Sequence, residues 1–310
     1  MKHRIMLVVV ALAAVAAIVV AQRRQVEADV GPAAIVHFIA DTEHELSRLP
    51  AESTRMTDAE EIAIGNEIVR DHAAELGSSE QTNTPMAAYV ERVGMEVAAR
   101  AHRKLPYKIH YIQDDGFVNA FALPGGNVFI GSGLVNLMDT EDELASVLGH
   151  EIEHIDHYHC AERYQLEARL RRIGAGDLAA IAQLPLAVFQ AGYSKDQEFE
   201  ADREGTRLAV LAGYSPLGAV RLFEAFERME QTQQRRTHPA ATPADEAARV
   251  ALGTLSGYFR SHPYAAERAA RIRRMIVTEH WEAKGQEKPL EMGGINAARP
   301  PGTAPMIGTH

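Results

Sequence analysis

A pair of histidines flanks a glutamate in the segment LGHEIEHIDHYH, which covers residues 148–159. His150 and His154 occupy positions i and i+4 of a predicted helix, about 40° apart around the axis and about 6 Å apart along it. Both imidazoles can therefore reach one zinc ion. Glu151 follows His150 directly, and a carboxylate there can take a proton from water instead of binding the metal. The motif predicts a zinc-dependent hydrolytic site.

A catalytic zinc site needs a third protein ligand and one open position. His157 and His159 are near in sequence, but three ligands from one continuous helix would strain a tetrahedral site. The segment QEFEADREG, residues 197–205, offers Glu198 from a second helix. Asp202 lies one turn later on the same face, where it could accept the other ring N–H of a ligand histidine. By spacing alone, a solvated acidic helix face is the alternative for this segment.

The elements that must position these residues are mainly helical. Apolar periodicity and the capping candidates Thr57, Thr140 and Ser194 predict the helices, and alternation of apolar residues predicts short strands before the central helix. This pattern predicts an α+β fold that is mainly helical, with a small sheet preceding the active-site helix. The predicted helices cover 57–77, 85–103, 140–172, 194–213, 215–231 and 261–284, and the strands lie in 107–113 and 117–135, the latter turning at Pro124, Gly125 and Gly126.

Composition narrows the classes of function. The chain has 310 residues, 46% of them hydrophobic, and a net charge of −10. It has no cluster of Lys and Arg interleaved with aromatic residues, so we expect no nucleic-acid partner. Cys160 is the single cysteine. A metal must therefore be held by histidines and carboxylates.

The N-terminus predicts export. Residues 1–21 begin with Lys2 and Arg4 and continue as an uncharged apolar run, which is typical of a signal peptide or a membrane anchor. We expect this segment to bring the chain near a membrane. A linker is predicted over 22–56, the catalytic domain over 57–284, and a disordered tail rich in Pro and Gly over 285–310.

The segments LGHEIEHIDHYHCAER and YSKDQEFEADREG, in this order, resemble the motifs of zinc metallopeptidase family forty-eight. That family contains the CAAX prenyl proteases, the bacterial heat-shock membrane proteases and the periplasmic outer-membrane-assembly proteases. The resemblance continues in NAFALPGGNVFIGSGLV and SHPYAAER and covers about residues 57–275. It implies a zincin domain of the gluzincin type with one zinc ion per chain. The implied ligands are His150, His154 and Glu198, with Glu151 as the general base and Asp202 behind a ligand.

The downstream match centres on His262, with Arg268 six residues later. It resembles a His-Pro…Arg element of the family, whose histidine can approach the zinc and restrain activity, or stabilise the oxyanion. His238 also precedes a proline, but Ala244 stands where the arginine would be, so we prefer His262 as a second catalytic residue. The alternative is a helix-capping histidine, with the arginine in a surface ion pair. His157 and His159 are interpreted as surface or packing histidines.

The substrate is expected to be a polypeptide lying extended along an edge strand. The candidate strand residues are Asn119, Ala120, Phe121 and Gly126. The apolar segment 174–193 could cover the cleft as a lid.

The sequence thus predicts an exported zinc endopeptidase, in the periplasm or on the periplasmic face of a bacterial membrane. By resemblance, its clients are misfolded or membrane-associated proteins, and its type is minimal, without a helical repeat domain. One alternative is a latent or chaperone-like zinc protein that binds such clients with little proteolysis. Another is a structural zinc site, which would need four protein ligands.

Overall fold

The computed structural model describes residues 56–74, 76, 84–170, 192–235, 262, 265–281 and 288–290. The predicted segment 1–21, nearly all of the predicted linker, His238 and most of the predicted lid lie outside these residues. Within them, no helix combines the length and the apolar character needed to cross a membrane.

The described residues form helices around one small sheet. The strands are β1 (Lys108–Ile112), β2 (Ala120–Leu123) and β3 (Asn127–Gly131). The helices are α1 (Asp58–Asp71), α2 (Pro85–Ala98), α3 (Ser132–Val135), α4 (Glu141–Asp156), α5 (His159–Leu170), α6 (Lys195–Leu211), α7 (Leu217–Arg235) and α8 (Ala265–Thr278).

The sheet has the order β1-β3-β2, and along the chain the short helix α3 separates it from α4, the helix that carries the histidine motif. β1 runs parallel to β3, whereas β2 runs antiparallel to it. A single turn of 3₁₀ helix, Pro124–Gly126, joins β2 to β3, and Gly125 adopts a positive φ of 79° there. This arrangement confirms the predicted α+β fold, mainly helical with a small sheet before the active-site helix.

Three predicted helix starts are present as capping boxes. In each, the N-cap side chain and the side chain three residues later accept hydrogen bonds from one another's backbone N–H groups. The pairs are Thr57 with Glu60, Thr140 with Glu143, and Ser194 with Gln197. The last two begin α4 and α6, the two helices that carry the predicted metal ligands. Local sequence therefore sets where both helices begin.

The prediction of one continuous helix over 140–172 is wrong. α4 ends at Asp156, and Tyr158 adopts a left-handed φ of 63° before α5 begins. Arg103 holds this break: its Nη1 donates to the Ile155 carbonyl at 2.6 Å, and its guanidinium lies 3.8 Å from the centroid of the Tyr158 ring. The chain therefore turns after α4, and His159 does not continue along the helix axis.

α4 lies at the centre of the core, with all sixteen of its residues buried. It packs against α2, α6, α7 and β2. It approaches α6 closely, since a Cβ added to Gly149 would lie 2.5 Å from the Gly205 carbonyl oxygen. Only glycine at these two positions allows the backbones to meet so closely.

Three residues of the predicted disordered tail are paired with the rest of the fold. Pro289 forms a β-bridge with Thr140, and the Glu141 N–H donates to the Lys288 carbonyl at 2.9 Å. The Lys288 N–H in turn donates to an Asp142 carboxylate oxygen at 3.1 Å. The tail therefore satisfies an N–H at the start of α4 that has no partner within the helix. The other residues of the predicted tail, 285–287 and 291–310, lie outside the described residues.

Candidate metal centre

Four predicted site residues meet at one point. His150, His154, Glu198 and His262 each offer an atom within 4.8 Å of the others. All four side chains are buried, with at most 4% of each residue exposed. His150 and His154 come from α4, Glu198 from the first turn of α6, and His262 from the chain just before α8.

The glycine contact between α4 and α6 sets this geometry. Gly149 precedes the first histidine of the motif, and Gly205 lies two turns after Glu198 on α6. A Cβ on Gly205 would lie 2.6 Å from the backbone nitrogen of His150. The close approach of the two helices brings the Glu198 carboxylate within reach of both histidines.

The donor atoms fit a tetrahedral zinc ion. Ligands about 2.0–2.1 Å from zinc lie about 3.4 Å from one another in a tetrahedron. The Nε2 atoms of His150 and His154 are 3.1 Å apart, and Glu198 oxygens lie 3.4 Å and 3.7 Å from them. His262 Nδ1 lies 3.2 Å from His150 Nε2 and 3.0 Å from a Glu198 oxygen, where a fourth ligand would be.

The charges of the cluster suit a cation. Burial alone would raise the pKa of Glu198, but His262, His150 and Arg268 outweigh it and hold that pKa well below its usual range. The carboxylate is therefore ionised, as a metal ligand must be. Two imidazole nitrogens that face each other at 3.1 Å need a cation or a proton between them.

Glu151 lies beside the cluster but is not one of its four members. The residue is fully buried, and neither carboxylate oxygen accepts a hydrogen bond from the described part of the chain. His262 Nε2 lies 3.4 Å from one of these oxygens. Burial raises the pKa of Glu151 above its ordinary value, and His262 and His150 offset this only in part. A buried carboxylate of this kind has the properties of a general base.

Asp202 and Arg268 hold His150 from behind. His150 Nδ1–H donates to Asp202 Oδ1 at 3.1 Å, which leaves Nε2 free to face the cluster. Arg268, with none of its surface exposed, donates to both Asp202 oxygens at 2.8 Å and 2.6 Å. It also donates to the His262 carbonyl at 3.1 Å, so one side chain joins α6 to the segment that carries His262.

Three residues lie around His154, and of these only His159 was identified from the sequence. Tyr193 stacks on the His154 ring with centroids 3.8 Å apart, and His159 Nδ1 lies 3.0 Å from His154 Nδ1. Glu200 contacts His159 in turn, at 3.3 Å. His159 is 3% exposed, which agrees with a packing residue and not with a surface residue, and it also touches a ligand candidate. His157 is half-buried and contacts Glu153 and Glu200.

The four candidate substrate-strand residues fall in different places. The Gly131 N–H donates to the Asn119 carbonyl at 3.0 Å, so these two residues form a hydrogen-bonded pair. Such pairs occur at every second residue of an antiparallel ladder, so Phe121 also directs its backbone N–H and C=O toward β3. Ala120 directs its backbone N–H and C=O to the other edge, where no described strand pairs with β2. Gly126 lies in the turn at the end of the strand.

Comparison with known proteins agrees with the motif. Residues 85–276 match the profile of Peptidase family M48. The chain is 32% identical over 176 residues to the beta-barrel assembly-enhancing protease of Escherichia coli strain K12, which covers 51% of this chain and 35% of that protein.

Two further relatives match a similar share of the chain. Mitochondrial metalloendopeptidase OMA1 of Schizosaccharomyces pombe is 32% identical over 170 residues, 51% of this chain and 50% of its own length. Metalloprotease LoiP of Escherichia coli strain K12 is 29% identical over 178 residues, 54% of this chain and 61% of its own. The chain thus spans between about a third and three fifths of these relatives. Because the family profile covers more than half of the chain, this protein belongs to peptidase family M48.

Proposed function

We propose that this protein is a zinc-dependent endopeptidase, with one zinc ion held by His150, His154 and Glu198. The observation that carries the proposal is the position of Glu151. It lies buried and without a hydrogen-bond partner in the described part of the chain, directly beside a donor cluster that fits zinc. A purely structural site has no use for such a carboxylate, because a buried polar group that accepts no hydrogen bond costs stability.

The reaction depends on a proton that Glu151 moves. When bound, zinc supplies a Lewis acid that polarises the scissile carbonyl and makes water more acidic. Glu151 accepts the proton of the attacking water and later gives it to the leaving amine. Its raised pKa suits both steps, since the same carboxyl must take up and release a proton. Asp202 and Arg268 keep His150 in the tautomer that faces the metal.

His262 has two possible uses at this position. With Nδ1 in the donor cluster, its Nε2–H points toward Glu151 at 3.4 Å and closes the site. Withdrawn from the cluster, the ring would open the fourth position that a catalytic zinc needs and could face the developing oxyanion.

β2 is the strand along which we place the substrate. It is an edge strand of the described sheet and packs against α4. Ala120 directs its backbone N–H and C=O away from β3 but is itself buried, so an extended peptide would add there as another strand once this edge is uncovered. Phe121 and Asn119 would then support the edge strand from within the sheet, with Gly126 shaping the turn behind it.

The clients are proposed to be exported, misfolded or membrane-associated proteins, in the periplasm or at the periplasmic face of the membrane. The basic and apolar residues 1–21 support export. One relative is a beta-barrel assembly-enhancing protease, and this name supports membrane-associated clients for the proposed enzyme. The proposed domain boundaries are 57–284 for the catalytic domain, with 22–56 as a linker.

A second candidate function is a latent zinc protein that binds clients and cleaves them little. The observation that favours it is the burial of the whole cluster, with His262 in the fourth position. In that form the zinc would have four protein ligands and no open position, which is typical of closed sites.

One set of assays separates these functions. In the purified chain we expect bound zinc and casein cleavage, and in Glu151→Gln bound zinc with cleavage lower by about 10²–10⁴-fold. Glu91→Gln, the same change at an exposed position on α2, should keep full activity. Increased cleavage by His262→Ala would show that this histidine restrains the enzyme. Zinc with no cleavage in either the wild type or His262→Ala would contradict the protease proposal.

A further inference from the structure

The His154 ring contacts a hydrogen-bonded chain of two residues on the side that faces away from the donor cluster. His154 Nε2 faces the donor cluster, and its Nδ1 lies 3.0 Å from His159 Nδ1. On the far side of the His159 ring, Nε2 lies 3.3 Å from Glu200 Oε2. His159 reaches this position because the chain turns at Tyr158 between α4 and α5.

The proton positions along this chain follow from a metal on His154. A neutral imidazole has one N–H, so a ring that binds a cation through Nε2 carries its hydrogen on Nδ1. His154 Nδ1–H must then donate to His159 Nδ1. His159 can accept there only if its own hydrogen is on Nε2, and that hydrogen points at Glu200. Each ring therefore fixes the tautomer of the next.

We propose that His159 and Glu200 are positioning residues that hold the His154 imidazole in the tautomer and orientation needed to bind the metal. The proposal rests on the proposed metal site and deepens it. It gives His154 a counterpart to the Asp202 carboxylate that holds His150. Neither His159 nor Glu200 touches the substrate or the metal in this role.

The same atoms could suggest a second metal site. His157, His159 and Glu200 each offer a ligand atom within 4.8 Å of the others. The tautomers oppose it, because His159 would have to bind a metal through Nε2, the nitrogen that carries its hydrogen when His154 is a ligand. With that hydrogen moved to Nδ1, two N–H groups would face each other at 3.0 Å. The geometry favours the positioning chain over a second site.

The test measures zinc affinity, which does not depend on cleavage. The full chain would be titrated with zinc against a chromophoric chelator, with the ion count determined by elemental analysis. We expect His159→Ala to weaken zinc binding by about 10–100-fold, as loss of a group behind a ligand histidine typically does. Glu200→Gln should weaken it less, because His159 would still accept from His154.

Two variants serve as matched controls. His157→Ala removes the other histidine that contacts Glu200, but it leaves His154 and His159 in place, so zinc affinity should not change. His159→Asn puts an amide oxygen near the position of Nδ1, so it should restore most of the affinity lost in His159→Ala. A general packing defect would not be repaired by this smaller polar residue. Cobalt substitution gives a second reading, because its visible absorption should shift in His159→Ala and not in His157→Ala.

Several results would overturn the proposal. One such result is a His159→Ala variant that binds zinc as tightly as the wild type. Another is a wild-type chain that binds two zinc ions, with one ion lost in His157→Ala and also in His159→Ala. A wild-type chain that binds no zinc would remove both this proposal and the proposed function. Tight zinc binding with unchanged cleavage in Glu151→Gln would instead contradict the catalytic proposal alone and leave the positioning chain standing.

Discussion

The two histidines of the motif are held from behind by different chemistry. His150 donates to Asp202, whose carboxylate is bound by Arg268, and all three groups are buried. His154 faces another histidine, and the carboxylate beyond it, Glu200, has a side chain that is 40% exposed. A buried ion pair lies behind His150, whereas a hydrogen-bonded chain that ends at a carboxylate near solvent lies behind His154.

Because of this difference, removing a residue behind His150 and removing one behind His154 should change the free energy of unfolding by different amounts. A buried ion pair is expensive to break, because removing one partner leaves a charge without compensation. An exposed carboxylate loses little when its partner is removed, since water solvates it. We call Asp202 and Arg268 the His150 side, and the residues packed behind His154 the His154 side. We therefore expect the His150 side to govern the stability of the fold and the His154 side to affect mainly the affinity for the metal.

The largest effect should come from Arg268→Met. The change leaves the Asp202 carboxylate buried without its guanidinium, which should lower the free energy of unfolding by about 3–5 kcal/mol. Arg273→Met is the control: it lies on the same helix and pairs with Glu224, but it is half exposed. Its cost should stay below about 1 kcal/mol. Urea denaturation measures both, and equal losses would show that the two pairs are energetically alike.

The next effect should come from Gly205→Ala, which acts on the contact shared by both sides. The added Cβ would lie 2.6 Å from the backbone nitrogen of His150, so α6 must move away from α4. Overpacking of this kind costs about 1–3 kcal/mol, and the displacement of Glu198 should also weaken zinc binding. Arg207→Ala on the exposed face of α6 should change neither quantity. Thermal unfolding and zinc titration of the two variants check this.

The sequence predicted the parts of the site that depend on local rules. The His150 and His154 pair follows from helical spacing, and Thr140 and Ser194 begin the helices as their capping boxes predict. The position of Asp202, one turn after Glu198, predicted a carboxylate that could hold a ligand histidine, and the structure places it against His150.

The role of His159 could not be predicted in this way. It depends on Arg103, which is far away in the sequence and stops α4 through the Ile155 carbonyl and the Tyr158 ring. Helical periodicity across 140–172 hides that break, because the residues after it also favour a helix. The glycines at 149 and 205 carried a usable signal, since glycine inside a helix is costly unless a close contact requires it.

A smaller effect is expected from Tyr193→Leu, which tests the His154 side. The Tyr193 ring stacks on His154 at 3.8 Å, and aromatic stacking of this kind is worth about 0.5–1.5 kcal/mol. Losing it should lower stability by about that amount and weaken zinc binding. Tyr193→Phe keeps the ring and should behave like the wild type in both measurements. If the two variants lose equal affinity, the hydroxyl and not the stacked ring holds His154.

The smallest effect is a difference in thiol labelling at Cys160, which borders the His154 side. Its Sγ lies 3.2 Å from the Tyr193 hydroxyl, and the residue is 1% exposed. Burial raises the pKa of this thiol, so a thiol reagent should modify it very slowly in the folded chain. Tyr193→Leu and removal of zinc by a chelator should both speed labelling, because each loosens the packing around His154. Arg268→Met, compared at a temperature where it is still folded, should speed it less, because its defect lies behind the other histidine. Equal labelling rates in Tyr193→Leu and Arg268→Met would mean that the two sides open together, as one unit.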